Sequence, residues 1–111
     1  PANPGQEYFI SMESKDKKTL YGFCRLHLNP NHPTLKAIIR ELHVYGELVP
    51  VGSKKIVQHS GFGKKLLREA EKIVLKNNLS KIWVISGIGV RNYYRKQGYR
   101  LEKTYLAKKL K

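Results

Sequence analysis

QHSGFG, the six residues from Gln58 to Gly63, stands immediately before an amphipathic stretch that extends to Lys76. Two glycines in such a short loop let the backbone pass close to a ligand, where a Cβ atom would collide. A helix that begins behind the loop directs its unpaired N–H groups and its positive dipole end at the same place. The stretch therefore predicts a loop that holds a phosphate group at the start of a helix.

The glycine spacing separates this loop from two other phosphate-binding loops. A P-loop needs Gly-x4-Gly-Lys-Ser/Thr, and the dinucleotide fingerprint needs a third glycine where this chain has Leu66. Lys64 and Lys65 would lie in the first helical turn, where the helix dipole disfavours cations. Two lysines at that end indicate a bound anion; the alternative is a glycine-containing turn that merely starts a helix.

Composition and charge limit the classes to which the chain can belong. Its 111 residues, 41% of them hydrophobic, suit one domain with a modest core. Its formal charge of +14, from 22 Lys and Arg against 8 Asp and Glu, favours an anionic partner such as nucleic acid or coenzyme A. The alternative is a lysine bias that serves solubility or thermal stability. The single cysteine, Cys24, excludes an internal disulfide, so we expect a reducing, cytoplasmic location.

Metal binding and membrane insertion have no support in the sequence. The four histidines show no metal-ligand spacing, and one cysteine cannot build a cysteine-based metal cluster. No apolar stretch is long enough to cross a bilayer. We therefore expect no metal site and no membrane contact.

The periodicity of apolar residues predicts a single α/β domain over residues 8–111, preceded by a flexible leader over residues 1–7. Residues 46–57 are expected to form a long connecting loop. A strand, a helix and a further strand in succession predict a βαβ unit. The predicted strands cover residues 8–14, 20–28, 35–45 and 81–88, the predicted helices cover 62–76 and 90–97, and a final strand or hairpin covers 99–110. Gly98 is expected to end the second helix in a left-handed conformation.

Two motifs resemble those of acetyl-CoA-dependent N-acetyltransferases of the GNAT superfamily. The Gln58–Gly63 loop resembles the pyrophosphate loop of that family, and Tyr94 stands four residues before Gly98-Tyr99, as in a late helix motif of the family. The resemblance implies that backbone N–H groups of Ser60–Lys64 bind the pyrophosphate of acetyl-CoA and that Gln58 braces the loop. It also implies that Tyr94 lies near the sulfur of the cofactor.

Tyr94 is therefore the candidate catalytic residue, which would protonate the leaving thiolate. A phenol, with a pKa of about 10, suits this proton transfer, although packing in the core is the alternative role. Tyr93 is expected to pack. Glu41 or His43 could be a general base, but a histidine on a strand is more often structural.

The cofactor contacts implied by the resemblance lie on a strand and on the loop. In the family, pantetheine inserts where two strands splay apart, which here would be the strands expected over residues 35–45 and 81–88. The implied cofactor-binding residues are Leu42, His43, Val44, Tyr45, Gln58, Gly61, Phe62, Gly63, Lys64, Lys65 and Tyr94.

A longer set of residues resembles the acetyltransferase-like domain of Elongator-type enzymes, which modify the wobble uridine of tRNA. The set comprises Arg40–Gly46, Val49–Val51, Ser53, Gln58-His59, Gly61–Gly63, Val84–Gly87, Arg91–Lys96 and Gly98-Tyr99. The resemblance implies the GNAT acyl-CoA N-acyltransferase fold, a mixed, mostly antiparallel sheet with a central βαβ unit, here without the usual N-terminal strand and helices.

The same resemblance implies the cofactor and the partners. Acetyl-CoA would bind this domain, and tRNA would receive a carboxymethyl precursor at C5 of the wobble uridine. An iron–sulfur cluster and S-adenosylmethionine would belong to a radical domain of a parent chain, whose three-cysteine motif this chain lacks. Elongator subunits or a second copy of the chain are further expected partners. We expect an isolated domain that could bind or hydrolyse acetyl-CoA but does not modify tRNA alone.

Two other function classes stay open. One is a conventional lysine or amine N-acetyltransferase, which would transfer the acetyl group to an amine. The other is a non-enzymatic RNA-binding domain, whose basic side chains would contact phosphates and whose seven tyrosines would stack on bases.

Overall fold

The computed structural model of the chain describes residues 5–45, 47–52, 54–58, 61–86 and 91–111. Its elements, in chain order, are β1 (Gln6–Glu13), β2 (Leu20–Leu28), β3 (Ala37–Val44), β4 (Glu47–Val51), β5 (Lys54–Gln58), α1 (Phe62–Lys76), β6 (Lys81–Val84), α2 (Arg91–Lys96), β7 (Arg100–Glu102) and β8 (Tyr105–Lys109).

A six-stranded sheet in the order β1-β2-β3-β6-β8-β7 carries the fold. Every neighbouring pair in it is antiparallel except β3 and β6, which run parallel. Parallel neighbours need a crossover connection, and α1 lies in the connection between these two strands. The mixed, mostly antiparallel sheet and its βαβ unit, both expected from the sequence, are thereby confirmed.

The main core lies between α1 and one face of this sheet. Leu66, Leu67, Ala70 and Val74 project from one side of α1, and each is at most 1% exposed. They pack with Cys24, Leu26, Leu28, Ala37, Ile39, Ile82, Val84, Tyr94, Tyr99 and Leu106. Burying one large apolar side chain contributes about 1.5–3 kcal/mol, so the apolar stripe that predicts α1 also determines which side of it faces the sheet.

The segment expected to be a loop over residues 46–57 contains a hairpin instead. β4 and β5 pair antiparallel from Glu47↔Gln58 to Val51↔Lys54 and form a separate two-stranded sheet. Gly52, with φ of 66°, lies in the turn. Pairing satisfies backbone N–H and C=O groups that an open loop would leave to water, and this favours the hairpin over the loop.

The other element boundaries follow the sequence with small shifts. β1 begins at Gln6, inside the segment expected as a leader, and residues 1–4 lie outside the described part of the chain. The strand expected over residues 81–88 ends at Val84. Gly98 has φ of 97°, as its predicted role at the end of α2 requires, and residues 99–110 contain the hairpin of β7 and β8. Neither described helix is long and apolar enough to span a membrane.

Candidate functional site

The two parallel strands at the centre of the sheet separate after a short ladder. β3 and β6 pair only at Ile38↔Trp83 and Ile39↔Val84, and one further bond runs from Ile85 N–H to the carbonyl oxygen of Ile39, at 3.2 Å. β3 continues to Val44, five residues beyond Ile39, whereas β6 has ended. The separation opens the sheet beside the second half of β3.

A cavity of about 420 Å³ lies at this opening. This volume is within the range of small-molecule sites, roughly 300–1,000 Å³. β3, the start of α1 and α2 all contribute to its wall. The lining residues in the described part of the chain are Leu42, Val44, Gly61, Gly63, Lys64, Tyr93, Tyr94 and Gln97. Six of these eight residues are cofactor-binding residues implied by the sequence resemblance.

The start of α1, which lines this cavity, carries backbone N–H groups that the helix itself does not pair. The first i→i−4 bond of the helix runs from Lys65 N–H to the carbonyl oxygen of Gly61, at 2.9 Å. The N–H groups of Phe62, Gly63 and Lys64 therefore have no carbonyl partner within the helix. Gly61 makes no side-chain cap, and the first turn contains no acidic residue. This helix end is electrostatically suited to an anion.

The two glycines of the loop have different structural roles. Gly61 adopts φ of 75°, and a Cβ atom there would meet open space, so the position requires glycine for its backbone conformation. At Gly63 a Cβ atom would approach Val44 Cγ2 to 3.4 Å and Tyr93 Cζ to 3.3 Å, and would collide with the Tyr93 hydroxyl. Gly63 therefore permits the close approach of α1, β3 and α2 around the cavity.

Two consecutive tyrosines of α2 reach the cavity. Tyr94 is 6% exposed, and its ring packs edge to face against the rings of Tyr93, at 5.3 Å, and Tyr99, at 5.9 Å. Burial, with smaller contributions from Tyr93 and Cys24, raises the pKa of Tyr94 above its ordinary value. Its hydroxyl therefore keeps its proton at neutral pH, as a proton donor must.

Tyr93 lines the same cavity and is 37% exposed, although the sequence suggested only packing. Burial raises the pKa of its hydroxyl, and the charge of Arg68 partly offsets that rise. The collision expected from a side chain at position 63 explains its placement, because a glycine there leaves room for the ring. The pairing of Gly63 with an aromatic residue on α2 is a long-range relationship that residue spacing does not reveal.

The side chains of His43 and Tyr45 lie on the other face of the sheet from Leu42 and Val44, because successive residues of a strand alternate. The His43 and Tyr45 rings stack at 6.5 Å, and the His43 ring also contacts Phe23, at 5.2 Å. Neither side chain lines the cavity, so only the backbone of His43 could meet a ligand there.

Glu41, the other candidate base, is also directed away from the cavity. Its carboxylate accepts a hydrogen bond from Arg25 Nη1, at 2.6 Å, and its Oε2 lies 3.3 Å from His43 Nε2. The hydrogen bond from Arg25 lowers the pKa of Glu41, and the nearby His43 acts in the same direction. A carboxylate with a lowered pKa is a weaker base, so Glu41 is a poor candidate for proton abstraction.

Three further residues that the resemblance implies, Gln58, Phe62 and Lys65, are not among the described residues that line the cavity. Gln58 ends β5, but its side chain and residues 59–60 are outside the described part of the structure. Phe62 stacks face to face on Tyr21, with ring centroids 5.2 Å apart. Lys65 faces a groove between α1 and β1 that also contains Ile10 and Met12.

A family model and several curated relatives match the chain. Residues 2–99 match the model of the acetyltransferase (GNAT) family. Elongator complex protein 3 of Danio rerio is 48% identical over 118 residues, which cover 98% of this chain and 22% of that protein. The human protein of the same name is 48% identical over 120 residues, 99% of this chain and 22% of the relative. The chain thus spans about a fifth of the length of these relatives.

Solved structures show the same fold. An archaeal Elp3 from Methanocaldococcus infernus, with an N-terminal deletion, matches with a TM-score of 0.80 and 37% identity over 96% of this chain and 27% of that chain. A PaiA N-acetyltransferase from Thermoplasma acidophilum, solved in complex with coenzyme A, matches with a TM-score of 0.63 and 25% identity over 91% of this chain and 60% of that chain. Tetrahymena GCN5 shares the fold, with a TM-score of 0.65 at 15% identity over 93% of this chain and 68% of that chain. Because the family match covers most of the chain and solved acetyltransferases have its fold, the chain belongs to the acetyltransferase (GNAT) family.

Proposed function

We propose that the chain binds acetyl-CoA in the cavity between β3, α1 and α2 and acts as the acetyltransferase domain of an Elongator-type enzyme. The observation that carries this proposal is that one cavity joins the open start of α1, the separated edge of β3 and the hydroxyl-bearing rings of α2. Besides its adenosine 3'-phosphate, acetyl-CoA consists of a pyrophosphate, an extended amide chain and a thioester, and each of these last three has a matching feature here.

The residues divide the binding task by chemistry. The N–H groups of Phe62, Gly63 and Lys64 would donate to the pyrophosphate, and the Lys64 side chain would add positive charge. The backbone of Leu42–Val44 would pair with the amides of pantetheine, since β6 no longer occupies that edge of β3. Tyr94 would donate its proton to the sulfur when the acetyl carbon–sulfur bond breaks, which avoids release of a free thiolate.

The target of the acetyl group is proposed to be tRNA. The relatives named Elongator complex protein 3 support an assignment to wobble-uridine modification, in which acetyl-CoA hydrolysis is coupled to tRNA and the acetyl group becomes a carboxymethyl precursor at C5. The +14 charge suits contact with RNA phosphates. A radical S-adenosylmethionine domain with an iron–sulfur cluster, Elongator subunits or a second copy would be the protein partners, in the cytoplasm. Without that radical domain the chain should not modify tRNA.

Titration calorimetry with desulfo-CoA tests the cofactor site. The wild-type chain should bind, and Gly63→Glu should abolish binding because it puts a side chain against Tyr93 and a negative charge at the phosphate site. Thr104→Glu adds the same charge in the exposed turn between β7 and β8 and should bind as wild type does. No binding by the wild type, or equal binding by Gly63→Glu, would overturn the proposal.

Two rival functions give other outcomes in related assays. An amine N-acetyltransferase would turn over acetyl-CoA faster with amines and ignore tRNA. Within the described residues neither Glu41 nor His43 lines the cavity to deprotonate an amine, which disfavours this function. A purely RNA-binding domain would bind RNA with a steep salt dependence and would not bind desulfo-CoA.

A further inference from the structure

A buried carboxylate lies behind the cavity wall, on α1. Glu71 is 7% exposed. Its Oε1 accepts a hydrogen bond from Arg68 Nη1, at 2.5 Å, and its Oε2 accepts one from the Tyr99 hydroxyl, at 2.7 Å, and one from Lys108 Nζ, at 3.3 Å. The single carboxylate therefore connects α1 with β8 and with the residue that follows Gly98.

The two cations that bond to Glu71, Arg68 and Lys108, each donate a further hydrogen bond to Gln97, the residue directly after α2. Arg68 Nη2 donates to Gln97 Oε1, at 3.0 Å, and Lys108 Nζ donates to the backbone oxygen of Gln97, also at 3.0 Å. Gln97 itself lines the cavity. Its side chain and its backbone are thus both tied to the Glu71 network while it contributes to the cavity wall.

Tyr99 provides a second link from Glu71 to the cavity. Its hydroxyl bonds to Glu71 while its ring packs against the ring of Tyr94. The carbonyl oxygen of Tyr94 accepts hydrogen bonds from Gln97 N–H, at 2.9 Å, and from Tyr99 N–H, at 3.1 Å. These two bonds hold the backbone turn that follows Tyr94. Burial and the bond to Glu71 both raise the pKa of Tyr99, so the phenol stays protonated as the donor in this bond.

Stability alone is a weak reason to bury such a group. A buried ion pair often stabilises no more than apolar residues of similar volume would, because desolvation of the charges costs several kcal/mol. Directional bonds from one carboxylate to three side chains, on α1, on β8 and in the segment between α2 and β7, do, however, specify a single arrangement of these parts of the chain. The arrangement that they specify is the position of the α2 turn against the cavity.

We propose that Glu71 is a positioning residue of the acetyl-CoA site, which through Tyr99, Arg68 and Lys108 fixes Tyr94 and Gln97 against the cavity. The inference rests on the proposed function, since it assigns the network a role in holding that cofactor. Glu71 does not line the cavity and would not touch the ligand; it acts through Tyr99 and Gln97.

Three variants separate positioning from simple stabilisation. Glu71→Gln keeps the shape but removes the charge that holds Arg68 and Lys108. Tyr99→Phe keeps the ring and the ion pairs but removes the hydroxyl that bonds to Glu71. Glu69→Gln is the matched control, because Glu69 lies on the same helix with an exposed side chain and, among the described residues, forms an ion pair only with Lys72, at 3.4 Å.

The measurements are the affinity for desulfo-CoA and the NMR ring signals of Tyr94 in protein labelled with 13C-tyrosine, at a temperature where each variant is folded. Loss of these bonds should weaken affinity about tenfold in Glu71→Gln and about threefold in Tyr99→Phe. Both variants should shift the Tyr94 signals, and Glu69→Gln should match wild type in both measurements.

A Glu71→Gln protein that melts earlier yet keeps wild-type affinity and unshifted Tyr94 signals would overturn the inference and leave only a stabilising role. If Glu71→Gln does not fold, Tyr99→Phe decides in the same way. Wild-type protein that fails to bind desulfo-CoA would instead refute the proposed function, and the inference with it.

Discussion

Gly63 and Tyr93 lie so close together that a Cβ atom on Gly63 would collide with the Tyr93 hydroxyl. The glycine on α1 therefore allows the tyrosine on α2 to line the cavity. Gly63→Ala should displace the Tyr93 ring and weaken binding of desulfo-CoA about tenfold, an effect typical of a lost close contact. Stability should change little, since alanine favours the helix by about 1 kcal/mol and offsets part of the steric strain.

A double-mutant cycle checks whether the effect of Gly63→Ala passes through Tyr93. Tyr93→Phe removes the hydroxyl that a new Cβ atom would meet. The double variant should therefore bind desulfo-CoA better than Gly63→Ala alone, with a coupling that calorimetry can resolve. Strictly additive effects of the two substitutions would contradict this explanation.

Gly61 should behave differently, because its constraint is conformational. It holds φ of 75° with open space around the missing side chain. Gly61→Ala should lower the free energy of unfolding by about 1 kcal/mol, the usual penalty for a left-handed residue with a Cβ atom, and Gly61→Asn should lower it less. Urea denaturation measures both. Equal stability of Gly61→Ala and wild type would show that position 61 tolerates a Cβ atom.

The local features of this fold and its βαβ unit could be predicted from the sequence, whereas the long-range side-chain contacts around the site could not. The apolar stripe from Leu66 to Val74 predicts α1 and its buried face, and Gly98 predicts the end of α2. The alternation of β3 places the Leu42 and Val44 side chains toward the cavity. It also turns His43 and Tyr45 to the opposite face, although the family resemblance named all four.

The parts that escaped prediction depend on tertiary pairing. The β4–β5 hairpin was expected to be a loop, since the stretch carries Pro50 and Gly52 and its pairing partner cannot be read from either strand alone. Glu71 is charged, which favours solvent, although it stands four residues after Leu67 and three before Val74 and so lies on the buried side of α1. Its burial depends on Tyr99 and Lys108, which are distant in the chain.

Cys24 makes the stability of the chain sensitive to alkaline pH. The thiol is fully buried, and this burial raises its pKa to about 12. The folded state therefore keeps the proton while the unfolded thiol, with a pKa of about 8.5, releases it. Stability from this group is complete below the unfolded pKa and is lost as the pH rises toward 12. Between pH 7 and pH 10 the loss should be about 2 kcal/mol.

The variant Cys24→Val isolates that contribution, because it keeps a small apolar side chain and removes the titrating group. Its free energy of unfolding should fall less between neutral and alkaline pH than that of wild type, as measured by urea denaturation at each pH. Identical pH profiles for the two proteins would mean that the thiol does not contribute. Buried tyrosines affect both proteins, and they differ between them only through the small contribution of Cys24 to the pKa of Tyr94.

Tyr94 carries the proposed chemistry, so its hydroxyl should matter more to turnover than to binding. Tyr94→Phe keeps the ring contacts with Tyr93 and Tyr99 and removes only the proton donor. Release of free thiol from acetyl-CoA should slow by about 100-fold, the usual contribution of a general acid, while affinity for desulfo-CoA stays within about twofold. Because the pKa of Tyr94 is raised, wild-type turnover should not decline from loss of its proton until well above pH ~10, the ordinary tyrosine value. Tyr105→Phe is the matched control and should retain wild-type turnover, because Tyr105 lies on β8, packs its ring edge to face against Trp83 and does not line this cavity. A Tyr94→Phe protein that cleaves acetyl-CoA at the wild-type rate would assign the proton transfer to another group, and Tyr93, which lines the same cavity, would be the next to test.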